Sequence, residues 1–122
     1  DPMAFDDPVS GAKLLYWGSG FEPIKVRELD STRLAFTTDS VPQDVIFPNV
    51  DGDYDALIEG AWVVYRQEKY YCFYSGNNCC GPNAHYTAMV ARSDSPFGPF
   101  VTKSQYMGLT SSYMDSRYGF IF

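Results

Sequence analysis

An acidic residue stands directly before a run of strand-forming residues in Glu59-Gly60-Ala61-Trp62, which continues into Val63-Val64-Tyr65. A similar arrangement, Asp1-Pro2-Met3-Ala4-Phe5, opens the chain. Hydrolysis of a glycosidic bond uses a pair of carboxyl groups, one of which protonates the leaving oxygen. Two carboxyl groups at matching positions of a repeated β-unit therefore predict glycosidic-bond chemistry, with Glu59 and Asp1 as the candidate catalytic residues.

The surroundings of Glu59 suggest how it would work. Trp62 follows it closely, and Tyr74 lies in a neighbouring strand pattern. A carboxyl group against aromatic surface has its charged form disfavoured by desolvation, so its pKa rises. We therefore expect Glu59 to remain protonated near neutral pH and to serve as a general acid. The alternative is an ordinary solvated glutamate at a turn.

Aromatic side chains and one histidine are the candidates for holding a sugar. Trp17, Trp62 and Tyr74 could stack on a sugar ring, although tyrosines in this region could equally pack between sheets. His85, the single histidine, follows the loop of residues 77–84 and is a candidate ligand contact. The sequence contains neither the surroundings of a nucleophilic serine nor a phosphate-binding glycine-rich loop. We expect no metal and no cofactor.

Composition and charge limit the class of protein. The 122 residues carry a net charge of −6, and 17% of them are aromatic, which is typical of one globular domain. The negative charge argues against nucleic acid and anionic membrane as partners. No apolar run is long enough to span a bilayer. Because the chain begins at Asp1, we expect a processed product or a piece of a longer protein.

Three cysteines are too few for a disulfide framework. Cys72 falls within a strand pattern and is predicted to be a buried thiol. Cys79 and Cys80 are adjacent in a loop, which is a poor spacing for zinc. A vicinal disulfide and a free pair are both compatible with the sequence, so the redox compartment stays open.

Strand signals recur along the chain, whereas helical periodicity is nearly absent. Ala61 to Tyr65 and Tyr70 to Tyr74 flank a polar pair, Gln67-Glu68, which predicts a tight hairpin. The strands fall into two groups of four, residues 2–6, 12–17, 24–29 and 34–37, then residues 61–65, 70–74, 86–91 and 100–103.

Two repeated groups of four strands favour an all-β fold of four-stranded antiparallel β-propeller blades. We predict a single partial propeller domain over residues 1–122, with blade-like units at about 1–40 and 59–105 and a divergent tail at 107–122. The alternative is one antiparallel sandwich. In a propeller, Asp1 and residues 18–23, 58–59 and 76–85 would gather on one face, which is where a site belongs.

The chain resembles the five-bladed β-propeller glycoside hydrolases of family 43, which include α-L-arabinofuranosidases, β-xylosidases and endo-arabinanases. The resemblance covers roughly Asp1 to Phe100, extends through Cys79-Cys80-Gly81, and is lost from Met107 to Phe122. Its strongest pieces are Asp1-Pro2 with Phe5, Leu15-Tyr16-Trp17-Gly18-Ser19, Glu59-Gly60-Ala61-Trp62, Tyr70-Tyr71-Cys72-Phe73-Tyr74-Ser75-Gly76-Asn77, Val90-Ala91-Arg92-Ser93 and Gly98-Pro99-Phe100.

The resemblance implies a role for each carboxyl group. Glu59 would be the general acid, and Asp1 would tune the pKa of that acid and orient the sugar. The family inverts anomeric configuration with a water activated by a further aspartate. That catalytic base belongs to an earlier blade and has no match here, so the chain looks like about two blades of a five-bladed enzyme.

Two functions follow from this resemblance. The first is a glycoside hydrolase acting on terminal or internal bonds of arabinose- or xylose-containing polysaccharide, with the activity of this short chain alone left open. The second is a non-catalytic carbohydrate-binding or structural propeller fragment. Two blades leave sheet faces open, so we expect a homo-oligomer unless the aromatic tail from Tyr113 to Phe122 covers one face. An extracellular location is favoured over an intracellular one.

Overall fold

The structure, a computed structural model, describes residues 1–52, 54–109 and 112. Within these residues the chain forms nine strands and one short helix. They are β1 (Met3–Asp6), β2 (Lys13–Trp17), β3 (Ser19–Gly20), β4 (Ile24–Leu29), β5 (Gln43–Ile46), β6 (Ile58–Arg66), β7 (Lys69–Asn78), β8 (His85–Ser93), β9 (Val101–Thr102) and α1 (Lys103–Met107). In the described part of the chain, no helix has the length and apolar character needed to cross a membrane.

The strands form two sheets, each built on an antiparallel four-stranded meander. The first sheet has the order β1-β2-β4-β5, and the second has the order β3-β6-β7-β8-β9. This arrangement confirms the predicted all-β class with propeller-type blades. The two-residue strand β3 was not predicted: it lies between β2 and β4 in the chain but pairs with β6 of the other sheet.

The hairpin between β6 and β7 is confirmed at the predicted residues. Arg66 pairs with Lys69, so the turn contains two residues. Gln67 and Glu68 have φ values of 51° and 60°, the left-handed conformation that a two-residue turn of this type requires at both positions. The turn therefore joins two long strands of nine and ten residues without a bulge beside it.

The core lies between the two sheets, because each contributes the apolar residues of one face. Cys72 is fully buried there with a free thiol, as predicted. The buried Tyr16 donates a hydrogen bond of 2.5 Å to the carbonyl oxygen of Pro96 and so ties the sheets together. The core consists of Leu14, Tyr16, Ile24, Val26, Val45 and Ile46 from the first sheet and Ile58, Ala61, Val63, Tyr70, Cys72, Tyr74, Met89, Ala91 and Phe100 from the second and its flank.

The fourth strand of the first sheet is not where the sequence predicted it. Residues 34–37 form only an isolated bridge between Leu29 and Phe36, and Leu34 is 91% exposed. The strand is β5, within a segment that was interpreted as a long loop. Val45 and Ile46 are buried in the core, and the carbonyl oxygen of Val45 accepts a hydrogen bond of 3.2 Å from the amide of Phe100, the residue before β9 of the other sheet.

The last predicted strand, residues 100–103, is shortened to β9 because a helix begins at its end. The Thr102 side chain accepts a hydrogen bond from the Gln105 amide, and the Gln105 side chain accepts one from the Thr102 amide. This reciprocal capping box starts α1. The predicted tail, 107–122, lies mostly outside the described residues, as does its predicted packing over an open sheet face; Ser112 accepts a backbone hydrogen bond of 3.3 Å from Val90.

Candidate active site

Glu59 lies near the start of β6, at a β-bulge. Glu59 pairs with Ser75 and Trp62 pairs with Phe73, so two residues of β6 oppose one residue of β7 between these pairs. Gly60 has a φ of 67°, a left-handed conformation that glycine adopts without steric cost. Because Phe73 and Ser75 share a face of β7, the bulge places Glu59 and Trp62 together on that face, away from the core.

Two hydroxyl groups hold the Glu59 carboxylate. The Ser19 hydroxyl donates a hydrogen bond of 2.7 Å to Oε2, and the Tyr86 hydroxyl donates one of 2.8 Å to Oε1. Ser19 comes from β3 and Tyr86 from β8, so three strands meet at this side chain. Neither donor was predicted from the sequence.

Hydrogen bonds from Ser19 and then Tyr86 lower the pKa of Glu59, outweighing a smaller opposing effect of burial. The predicted rise of this pKa is therefore wrong for the chain as described. The physical reason is that the expected aromatic surroundings do not form: Trp62 is 60% exposed and Tyr74 lies in the core. Burial, followed by the hydrogen bond to Glu59, raises the pKa of Tyr86.

Gly18 allows Ser19 to reach the second sheet. A Cβ atom at position 18 would lie 2.8 Å from the Cα atom of Ile24 and 3.0 Å from the carbonyl oxygen of Pro23. Only glycine permits this close approach of two backbone segments, which brings Ser19 opposite Glu59 in the β3–β6 pairing. The segment that links two strands of the first sheet thus adds β3 to the second sheet and supplies a donor to Glu59.

Asp1 lies close to the bulge. One oxygen of its carboxyl group would be 3.7 Å from a Cβ atom built on Gly60, the residue after Glu59. Strands β1 and β6 approach each other at the same place, where the Val63 amide lies 3.3 Å from the sulfur of Met3. The structure therefore places the two candidate catalytic residues in one neighbourhood.

A pocket of about 560 Å³ opens beside Asp1 and Ser19. Its lining is mostly apolar, and it includes Trp17 and Phe36, whose ring centroids are 5.8 Å apart. The Arg27 guanidinium lies over the Phe36 ring, 4.3 Å from its centre, and so contributes to holding that ring in place. The volume of this open pocket lies within the range of small-molecule sites, and an indole and a carboxyl group are among its lining groups.

The other predicted sugar contacts are distributed differently. Trp62 is exposed on the same sheet face as Glu59. Tyr74 is only 2% exposed and belongs to the core, so a sugar cannot reach its ring, and its predicted role in substrate binding does not hold. His85 is exposed: its ring lies 4.1 Å from that of Tyr54, and its Nδ1 lies 3.3 Å from Nδ2 of Asn77.

The loop between β7 and β8 carries a vicinal disulfide between Cys79 and Cys80, with an S–S distance of 2.08 Å. This resolves the alternative that the sequence left open. The loop extends from the same end of the sheet as Glu59, and both cysteines are exposed. Across the residues that the structure describes, no group of three or more His, Cys, Asp or Glu side chains is arranged to hold a metal ion.

A sequence model of glycosyl hydrolases family 43 matches residues 1–120. Among curated proteins, none matches this chain. Solved structures do: an exo-1,5-α-L-arabinanase from a bovine ruminal metagenomic library is 26% identical with a TM-score of 0.74, over 95% of this chain and 39% of that one.

Two further solved structures share the fold. An endo-1,4-β-xylanase from Bacteroides thetaiotaomicron is 26% identical with a TM-score of 0.69, over 85% of this chain and 36% of its own. A Cellvibrio cellulosa α-L-arabinanase complexed with arabinohexaose is 22% identical with a TM-score of 0.72, over 84% of this chain and 35% of its own. This chain therefore spans less than two fifths of these proteins. Since the family model matches almost the whole sequence, the chain belongs to glycosyl hydrolases family 43.

Proposed function

We propose that this chain forms part of an inverting glycoside hydrolase that acts on arabinose- or xylose-containing polysaccharide, with Glu59 as the general acid. The observation that carries the proposal is the position of Glu59: it lies on an inner strand, its carboxylate accepts a hydrogen bond at each oxygen, and Asp1 lies close to the bulge beside it. Inverting hydrolysis also needs a catalytic base, which would come from a part of the protein outside this chain.

Asp1 is proposed to tune the acid. A general acid must carry a proton at the working pH, whereas hydrogen bonds from Ser19 and Tyr86 lower the pKa of Glu59. A neighbouring carboxylate and exclusion of water both act in the opposite direction, because they disfavour the charged form. The Asp1 carboxylate would supply the first effect, against the N-terminal ammonium group of the same residue, which lowers the pKa of Glu59. Bound sugar together with further protein over the open face would supply the second.

Trp17 is proposed to hold the sugar. It lines the pocket that Asp1 and Ser19 also line, so a ring stacked on the indole would lie beside Asp1 and beside Ser19, which donates a hydrogen bond to Glu59. Trp62 and His85 are proposed as outer contacts, since both are exposed at or near the Glu59 end of the second sheet. Arabinose- or xylose-containing chains fit this role because the solved relatives are named for arabinan and xylan hydrolysis.

A second candidate function is carbohydrate binding without hydrolysis. The lowered pKa of Glu59 favours it, because an ionised carboxylate accepts hydrogen bonds from sugar hydroxyls but cannot protonate a leaving group. In this form the chain would act as a binding or structural fragment that assembles into a homo-oligomer through its open sheet faces.

The two functions are separated by following sugar release and binding with the same protein. The whole protein that contains this chain, with the part that would supply the base, is incubated with aryl α-L-arabinofuranosides, aryl β-xylosides, arabinan and xylan, and the first product is observed by proton NMR. The hydrolase proposal predicts release of sugar with inverted anomeric configuration. Retained configuration would contradict the mechanism. No release, combined with heat of binding to arabinan or xylan oligosaccharides, would establish the second candidate instead.

A further inference from the structure

We propose that Ser19 and Tyr86 form a two-donor clamp that positions the Glu59 carboxyl group and sets its acidity. The proposal rests on the proposed role of Glu59 as the acid, and it assigns two positioning residues to that role. Neither residue needs to touch the substrate, since both act through the carboxylate.

The geometry of the clamp fixes the carboxylate plane. Each carboxylate oxygen accepts one hydrogen bond, 2.7 Å at Oε2 and 2.8 Å at Oε1. The donors approach from different strands, β3 beside β6 and β8 beyond β7. A carboxyl group held at one oxygen can still rotate about its terminal torsion, whereas donors at both oxygens restrict that rotation.

Tyr86 reaches Glu59 across the second sheet. It lies on β8, which pairs with β7, and β7 pairs with β6. Its hydroxyl donates to Oε1 while Ser19 on β3 donates to Oε2. The two donors therefore come from strands on opposite sides of β6 in the sheet.

The clamp has a defined consequence for a general acid. Hydroxyl donors stabilise the carboxylate that remains after the proton has been transferred, so they make proton donation more favourable. They also reduce the protonated fraction at a given pH. Activity that depends on protonated Glu59 falls as pH rises through the pKa of this group, so removal of a donor should move that fall to higher pH.

The test is a pH titration of the Glu59 side-chain carboxyl carbon by NMR, with Glu59→Gln used to assign the signal. In Tyr86→Phe and in Ser19→Ala, the midpoint should move upward by about one pH unit each, the size expected for loss of one hydrogen bond to a charged group. Ser19→Thr keeps the hydroxyl and should restore most of the original midpoint. Tyr65→Phe and Ser31→Ala, which change hydroxyl groups elsewhere, should leave it unchanged.

The titration does not require enzymatic activity, so it separates the two proposals. Unmoved midpoints in both Tyr86→Phe and Ser19→Ala would overturn the clamp, whatever the activity of the protein. Shifted midpoints, combined with no hydrolysis by the whole protein that contains this chain, would keep the clamp and reject the role of Glu59 as an acid. Where hydrolysis is measurable, the upper limb of the kcat/KM profile should shift by the same amount as the midpoint.

Discussion

The Tyr70 hydroxyl donates a hydrogen bond of 2.6 Å to the Asp7 carboxylate and so joins the second sheet to the turn between β1 and β2. Asp7 is 3% exposed and also accepts hydrogen bonds from the Val9 amide and from the amide and hydroxyl of Ser10. Burial raises the pKa of Asp7, but these hydrogen bonds together outweigh it, so the pKa is lowered.

This relationship predicts a pH-dependent loss of stability. Asp7 has a lower pKa in the folded state than in the unfolded state, so its contribution is complete above the unfolded value near ~3.9 and is lost as pH falls through the folded value. Tyr70→Phe should lower the free energy of unfolding by about 1–3 kcal/mol at neutral pH, and by less in acid. Urea unfolding at several pH values measures this.

The matched control is Tyr65→Phe, because the Tyr65 ring packs against Tyr70 at 4.8 Å between centroids while Tyr70 carries the bond to Asp7. Tyr65→Phe should lower the free energy of unfolding by less than Tyr70→Phe does at neutral pH. An equal cost of Tyr70→Phe at pH 3 and pH 7 would show that the loss is one of packing and would contradict the account.

Gly76 should be intolerant of any side chain. A Cβ atom at this position would lie 2.5 Å from the carbonyl oxygens of Tyr54 and Leu57 and from the terminal carbon of Met89. The two carbonyl oxygens belong to backbone and cannot move independently, so Gly76→Ala should destabilise the chain by about 3 kcal/mol. Thermal unfolding measures the effect. In Gly81→Ala the added Cβ atom meets no atom within 4 Å, so only the left-handed backbone conformation of residue 81 is unfavourable. This substitution should therefore destabilise the chain less than Gly76→Ala does.

The strands that the sequence predicted best are those whose pattern is decided locally. Residues 24–29 alternate between apolar and charged, and the pair Gln67-Glu68 separates two strand-forming runs, so both features followed from short-range rules. The missed strand β5 has only two apolar residues beside proline-containing segments, and its burial depends on contacts with the other sheet. The Thr102–Gln105 capping box was present in the sequence and could have predicted α1.

The candidate site was predicted in part, for a related reason. Glu59 and Asp1 were found because each precedes a strand-forming run, a local signal. Ser19 and Tyr86 lie 40 and 27 residues from Glu59 along the chain, and only the pairing of β3 with β6 and the width of the second sheet bring them to it. The pKa of Glu59 depends on these distant donors, so its direction could not be read from neighbouring residues.

Substitution of Trp17 should weaken sugar binding, whereas substitution of Tyr74 should leave it unchanged. Trp17→Ala removes an indole from the pocket beside Asp1 and should weaken binding of an arabinan or xylan oligosaccharide by about fivefold, equivalent to roughly 1 kcal/mol of aromatic contact. Tyr74→Phe changes a buried core residue and should leave the Kd unchanged. Isothermal titration calorimetry compares the two; a larger effect of Tyr74→Phe would restore the original prediction for that residue.

Trp62 should promote self-association. Met3 occupies the matching position in the first sheet, because it pairs with Tyr16 in the same way that Trp62 pairs with Phe73. The Met3 side chain contacts the other sheet, where its sulfur lies 3.3 Å from the Val63 amide. An exposed tryptophan at a position suited to sheet packing predicts that the chain forms a homo-oligomer. Sedimentation velocity at micromolar concentration should detect it, and Trp62→Lys should reduce it, whereas Val9→Lys on an exposed turn should not. A wild-type chain that remains monomeric would contradict this prediction.

The central claim is tested most directly by comparing how much Glu59→Gln slows hydrolysis of substrates with poor leaving groups and of substrates with good ones. Loss of a general acid costs about 10²–10⁴-fold in rate when the leaving group needs a proton, as in arabinan and xylan. Nitrophenyl glycosides need less protonation, so their hydrolysis should be affected much less. The account predicts this difference for the protein that contains the chain, with the Glu59→Gln variant folded as the wild type. Undiminished hydrolysis of arabinan or xylan by Glu59→Gln would contradict it.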